Sequence, residues 1–275
     1  MLKQRFITAL ILAPLLLCGV FFLEPTYFSW FIGLIVALAA WEWANLSSLT
    51  SQLARVAYAG VIALLILVLS QMDLQWVLSV SVMWWVIATL FVLSFPDTSN
   101  YWSRTSVRCL IGIFTLLPMW KALVFVRTAT FAPIPELSPL WIISYMFLLV
   151  WAADTGAYFA GKAWGRAKLA PRVSPGKSWA GAWGGVVATI VLSVIASTSL
   201  NLESAQVLVL AIITLLTAAI SIIGDLTESM FKRQRGIKDS SNLLPGHGGV
   251  LDRIDSLVAA IPVFVFLLLS VGWIV

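Results

Sequence analysis

Nine apolar runs, each near the length that crosses a bilayer as a helix, limit what this chain can fold into. They occupy about residues 6–23, 28–46, 56–70, 75–95, 107–126, 138–158, 179–199, 205–224 and 256–275. A spanning helix needs about 20 mainly apolar residues, because about 30 Å of hydrocarbon is covered at about 1.5 Å per residue. The runs are continuous and do not alternate with period two, so helices are expected rather than a barrel. The third run is short, and the fifth carries Pro118 and Lys121. Apolar residues make up 61% of the 275 and charged residues 11%, against about 45–50% and about 25% in soluble domains. That surplus excludes an ordinary soluble domain, a disordered chain and a disulfide scaffold. The expected fold class is an all-α, polytopic membrane protein with about nine transmembrane helices.

Cys18 and Cys109 lie in or beside apolar runs, form no Cys-x-x-Cys pair and read as small membrane-core residues. The opening Met1-Leu2-Lys3-Gln4-Arg5 imitates a signal peptide. No small-x-small cleavage site follows, so the first run is expected to stay attached as a helix. Trp41/Trp43 and Trp84/Trp85 read as interface belts or lipid-facing bulk. Glu42, inside the Trp-rich second run, reads as an acid that snorkels to the interface.

The charges set the expected orientation. Basic residues favour the cytoplasmic side. Lys3, Arg5, Arg55, Arg104, Arg108 and the bases between runs six and seven and between runs eight and nine all fall on one side of nine helices. Glu24, Asp73, Arg127, Glu136 and Glu203 fall on the other. The amino terminus is therefore expected in the cytoplasm and the carboxyl terminus outside. The chain divides into residues 1–137, with helices one to five, and 138–275, with helices six to nine and two longer cytoplasmic connections, 161–178 and 225–255.

Those connections carry the chemistry. Residues 225–255 hold five basic and five acidic residues and the only histidine, His247. Asp225 to Arg235 contains no Gly or Pro, so the eighth helix is expected to continue past the apolar core. Asp225 and Glu228 are three apart and share a helix face. Pro245-Gly246-His247-Gly248-Gly249 must break the helix. Asp252 and Asp255, again three apart, open the ninth. The geometry lets Asp225 and Asp252 meet at one face of the membrane. Paired carboxylates there are costly without a cation, and their oxygens suit Mg²⁺, which also takes phosphate oxygens. Lys232, Arg233, Lys238 and Arg253 lie beside them. Acids for a metal next to bases for phosphate suit phosphoryl or nucleotidyl transfer. His247 either joins the chemistry or hydrogen-bonds the turn.

Residues 161–178 hold five basic residues and no acid. Ser174-Pro175-Gly176 reads as a turn into the seventh helix, whose first amides, with Lys177, either cradle a phosphate or simply anchor the chain by positive charge. Asp154, near the end of the sixth helix, either binds a cation or orients one of the bases.

The stretch Ser229-x-x-Lys232-Arg233-x4-Lys238-Asp239-x5-Pro245-Gly246-His247-Gly248-Gly249-x-Leu251-Asp252-Arg253-x-Asp255 resembles the signature of phosphatidate cytidylyltransferases, or CDP-diacylglycerol synthases. Asp154-Thr155-Gly156-Ala157-Tyr158 and Ser174-Pro175-x-Lys177-Ser178 resemble further blocks of that family, in the expected order. Many of its members carry Lys-Thr where this chain has Lys177-Ser178, and often a further Lys where it has Gly176. The resemblance covers about residues 150–256. It implies a Mg²⁺-dependent reaction of CTP with phosphatidic acid, a homodimer in a bilayer, and metal-binding carboxylates at Asp225 and Asp252. With it, Lys232, Arg233, Lys238 and Arg253 are expected to neutralise phosphates, Lys177 and Ser174 to help hold a substrate, and Asp255, Glu228 and Asp154 to assist. No nucleic acid is expected as a partner, and the compact chain points to a bacterial plasma membrane. Other readings are a different CTP-dependent membrane enzyme, such as a polyprenol kinase or CDP-archaeol synthase, a secondary transporter, or an anionic-lipid scaffold. The long signature favours the cytidylyltransferase, and the gathering of charge at one face disfavours a midplane transport site. Basic patches alone would suffice for a scaffold, which has no need of paired acids.

Overall fold

The computed structural model describes residues 2–275. The side chains of residues 2–7, 9 and 13 lie outside that description, and with them the expected anchoring by Lys3 and Arg5. The chain is an all-α, multi-pass membrane protein. Its long helices are α1 (Leu2–Phe21), α2 (Pro25–Leu46), α3 (Gln52–Gln71) and α4 (Leu74–Leu93), then, after the short α5 (Ser99–Trp102), α6 (Thr105–Val126) and α7 (Pro139–Trp164). A small β1 (Lys168–Ala170) and β2 (Ser174–Ser178) hairpin leads to α8 (Trp179–Ser199) and α9 (Ser204–Arg235). The chain closes with α10 (Leu251–Ile254) and α11 (Leu257–Ser270). Among the described residues, eight helices are long and apolar enough to cross a membrane, counting α10 and α11 as one. The first predicted run forms α1, whose apolar part, Leu10–Phe21, is shorter. The third run fills out to 20 residues, and the fifth continues through Pro118 as a 22-residue helix.

Two ends of the bundle are distinct. At one, the Asn45 amide donates to the Ser240 carbonyl, Arg108 donates to the Leu46 carbonyl, and Thr8 Oγ1 donates to the Pro245 carbonyl. At the other, Arg127 donates to the Leu23 carbonyl, Lys121 to the Ser70 carbonyl, and Thr130 pairs with Val275 through the backbone. These contacts gather two sets of connections, one at each end of the bundle.

Three expectations need correction. Trp43, Trp84 and Trp85 are buried rather than lipid-facing. Trp43 packs at a tilt against Phe231 of α9 with ring centroids 5.0 Å apart and donates its indole N–H to the Arg108 carbonyl. The pair on α4 is covered because that helix packs against α6, α9 and α11. Ser174–Ser178 is a strand rather than a turn, paired antiparallel with β1, and the reversal falls at Pro171–Val173. A two-stranded ribbon has a free edge on each strand, so Pro175 can sit without a donor. Glu42 is fully buried rather than snorkelling, and its partners are described below.

Small residues let the helices behind the hairpin approach closely. A Cβ on Gly185 of α8 would meet the Ala153 carbonyl oxygen at 2.8 Å, and one on Gly156 of α7 would meet the Gly184 carbonyl oxygen at 2.5 Å. In lipid, where apolar burial adds little between helices, such close packing supplies the association energy. Gly224 does the same between α9 and the start of α11, where a Cβ would stand 2.5 Å from the Asp255 carbonyl oxygen and 2.9 Å from Ala259 Cβ. That approach carries Asp255 against the acidic face of α9. Gly224→Ala is expected to destabilise, because a contact this close to a backbone oxygen puts the overpacking cost near the upper end of about 1–3 kcal/mol, above the roughly 1 kcal/mol gained in helix propensity. Thermal unfolding in detergent checks this, and an unchanged or raised Tm contradicts the close contact.

Candidate active site

As the Gly- and Pro-free stretch predicts, α9 runs on to Arg235. It stops at Gly236, which takes the left-handed conformation with φ 75°. Asp225, Glu228, Ser229 and Lys232 lie at spacings of three and four, so they form one stripe on the last turns. Lys232 Nζ sits 2.7 Å from Glu228 Oε2 and 2.8 Å from Asp252 Oδ1. One buried ammonium thereby joins α9 to α10. Two turns back, Lys177 Nζ of β2 sits 2.7 Å from Asp225 Oδ2, whose other oxygen accepts from the Ser229 hydroxyl at 3.2 Å. Asp255 faces Glu228, Asp225 and Lys232 closely enough for their charges to act on it.

The loop before α10 wraps around Asp252. Its carboxylate accepts from the Ser240 amide at 3.0 Å, the Ser240 hydroxyl at 2.9 Å and the Gly249 amide at 2.7 Å, besides Lys232. Gly246 and Gly248 adopt positive φ, and a Cβ on Gly248 would stand 2.5 Å from Asp252 Oδ2. The Pro-Gly-His-Gly-Gly break therefore packs a tight backbone directly over the aspartate. His247 closes its turn by donating its backbone N–H to the Leu244 carbonyl at 2.8 Å, while its Nδ1 is buried with no partner among the described residues.

The other predicted site residues distribute around this core. Asp154, Lys162, Lys177 and Asp225 line one cavity of about 520 Å³ between α7, α8 and α9. A more apolar cavity of about 570 Å³, with Trp179, Trp183 and Leu226 in its wall, shares Leu169, Ala182, Val186 and Ile222 with the first. Arg233 points away from the acidic stripe and donates through Nε to the Val173 carbonyl at 3.2 Å, pinning the hairpin to α9. Ser174, half-buried in β2, pairs with Ala170. Lys238 and Arg253 are exposed. Asp225, Glu228, Lys232, Asp252, Asp255 and Lys177 are thus brought together, Asp154 borders them, and Arg233, Ser174, Lys238 and Arg253 stand further out.

The donor set fits a divalent cation. The carboxylates of Asp225 and Asp252 supply oxygen donors of the kind a hard cation takes, each paired here with one lysine. Glu228 Oε1 is buried without a hydrogen-bond partner among the described residues, and the Asp255 carboxylate cannot donate to it when both are ionised. No three acids or imidazoles among the described residues converge into a complete cage. Mg²⁺ does not need one, since it takes one or two carboxylates and completes its shell with water and substrate phosphate.

Comparison with known proteins points the same way. The sequence profile of the cytidylyltransferase family matches residues 3–271. The chain belongs to the cytidylyltransferase family. A phosphatidate cytidylyltransferase from Pseudomonas aeruginosa is 49% identical over 275 residues, covering 99% of each chain. One from Haemophilus influenzae is 41% identical over 281 aligned positions, covering 96% of this chain and 97% of the other. One from Bacillus subtilis is 41% identical over 129 residues, about half of each chain.

The part that sequence reasoning misplaced is Glu42, and Asn45, Ser240 and Ser241, which share its contacts, are not singled out by it. A lone acid inside a spanning helix is the signal that marks it. Lys232 is the element on which the cluster depends, with only 12% of its side chain exposed against 3% for Glu228 and 5% for Asp252. Lys232→Met would leave two buried carboxylates unpaired, at a cost of about 3–5 kcal/mol. Denaturation in detergent should show this loss, and wild-type stability would contradict the bridging role.

Proposed function

We propose that the chain transfers a cytidylyl group from CTP to phosphatidic acid, giving CDP-diacylglycerol and pyrophosphate, the first nucleotide-activation step of phospholipid biosynthesis. The observation that carries this is the acidic stripe of α9 set against Lys177 and Lys232 at the polar end of a membrane bundle, in a chain of this family. The adjoining apolar cavity offers room for part of an acyl chain beside the polar cleft.

In the proposed reaction a phosphate oxygen of phosphatidic acid attacks the α-phosphorus of CTP. The new O–P bond forms as the bond to the β-phosphate oxygen breaks, and pyrophosphate departs with that electron pair. A phosphate monoester carries about −1.5 to −2 charge near neutral pH, so the nucleophile needs little deprotonation and no general base is required. The difficulty is bringing two anions together, which is a matter of electrostatics and positioning. Lys177 and Lys232 supply fixed positive charge within the cluster, and Lys238, Arg253 and the free nitrogens of Arg233 supply it at the rim. Asp225 and Asp252 would hold Mg²⁺, with Glu228, Asp255 and Asp154 beside them. When bound, that ion supplies positive charge against the phosphates of CTP. Both aspartates already accept from lysines, and an ammonium group released from its aspartate would be placed to meet a phosphate oxygen.

The excess of bases at the site end supports a cytoplasmic active face, with the amino terminus on the same side, in a bacterial inner membrane. A homodimer is part of the same proposal, carried by the family resemblance.

Purified protein given phosphatidic acid, labelled CTP and Mg²⁺ should release CDP-diacylglycerol and pyrophosphate in equal amounts, and chelation of Mg²⁺ should stop both. Asp252→Asn should lower turnover by about a hundredfold or more while the protein still elutes as a folded species. Wild-type turnover in that variant, or undiminished turnover without divalent cation, contradicts the assignment.

A further inference from the structure

Glu42 lies on α2, about 200 residues from the signature, and has 0% exposure. Its carboxylate has three donors, all from the segment that leads into Asp252, and the Ser240 hydroxyl lies against it as a fourth contact. Oε1 accepts from the Ser241 hydroxyl at 2.6 Å and the Val250 amide at 3.0 Å. Oε2 accepts from the Leu251 amide at 2.6 Å and is 3.3 Å from the Ser240 hydroxyl. One turn on, Asn45 donates to the Ser240 carbonyl at 3.1 Å and is itself held by Arg55 at 2.6 Å.

Asp252 holds the same two segments, through Ser240 and Gly249. Gly249 is what lets the layers close, because a Cβ there would collide with both Ser240 Oγ and Glu42 Oε1. The two carboxylates thus clamp one loop between them. We propose that Glu42 is a positioning residue for the reaction proposed above: it fixes residues 240–241 and 249–251, and through them the orientation of Asp252 and Lys232. The proposal rests on that reaction for its kinetic consequence, while the clamp itself does not.

The pattern of acceptors makes the test specific. Each Glu42 oxygen faces a backbone N–H, so either orientation of an amide sets NH₂ against a donor. Glu42→Gln, nearly isosteric, is therefore expected to lose the clamp. In full-length protein in nanodiscs, hydrogen exchange of the 240–251 amides should accelerate by about tenfold or more while the α6 and α11 amides keep their rates. The kcat should fall by about a hundredfold, the effect of a misplacement of about 1 Å, with KM for CTP within about threefold of wild type. Unchanged exchange in 240–251, or a kcat within about twofold of wild type, overturns the proposal. If Glu42→Gln does not fold, Ser241→Ala removes one donor, and is expected to speed the same exchange and lower kcat by about three- to tenfold. Wild-type exchange and kcat in that variant overturn the proposal equally. Absence of CDP-diacylglycerol from the wild-type protein would instead refute the parent reaction, and the exchange measurement would still decide whether Glu42 holds the loop.

Discussion

The lysine shared by two buried carboxylates is the contact on which the rest of the site depends. Lys232 leaves the last turns of α9, reaches Glu228 on its own helix and meets Asp252 on the next. Neither acid is well solvated there, and the shared ammonium group offsets the cost of burying them. The pairing also decides topology. It brings the end of one spanning helix and the beginning of the next to a common point, although a loop of more than a dozen residues separates them. Around that point Asp225 and Lys177 form a second pair.

Much of this architecture is legible in the sequence, because lipid imposes a simple rule. Backbone groups must be satisfied within each segment, so a run of about 20 apolar residues has one stable outcome. The extension of α9 is legible for a related reason, since nothing between Asp225 and Arg235 breaks a helix and Gly236 ends it. The spacing of Asp225, Glu228, Asp252 and Asp255 likewise shows which acids can share a face. Three features are not legible because tertiary context decides them. Trp43, Trp84 and Trp85 are buried, since which face of a uniformly apolar helix points inward depends on its neighbours. The β1–β2 hairpin depends on pairing across a turn whose residues carry no strong hairpin signal. Glu42 has donors from a loop about 200 residues distant, and no local pattern can supply that partner.

The two halves of the chain therefore share the work unequally but not separately. The lysines and acids come from α9, α10 and the hairpin, within the region of specific resemblance. The support beneath them comes from α2, where Glu42 and Asn45 hold the loop and Trp43 packs on Phe231. Close helix contacts through Gly156, Gly185 and Gly224 keep α7, α8, α9 and α11 at the distances these bonds require. The cavity that Asp154, Lys162, Lys177 and Asp225 line adjoins a more apolar one, so charged groups and a lipid-compatible surface lie side by side.

The central claim is that the acids at the end of α9 bind a divalent ion together with nucleotide. Mn²⁺ in place of Mg²⁺ makes this directly measurable, because the electron paramagnetic resonance signal of free Mn²⁺ falls as the ion is bound. Titration of purified protein in the presence of CTP should show a saturable Mn²⁺ site that is lost in Asp225→Asn while that variant remains folded. Equal Mn²⁺ binding by the wild-type protein and a folded Asp225→Asn variant would contradict it.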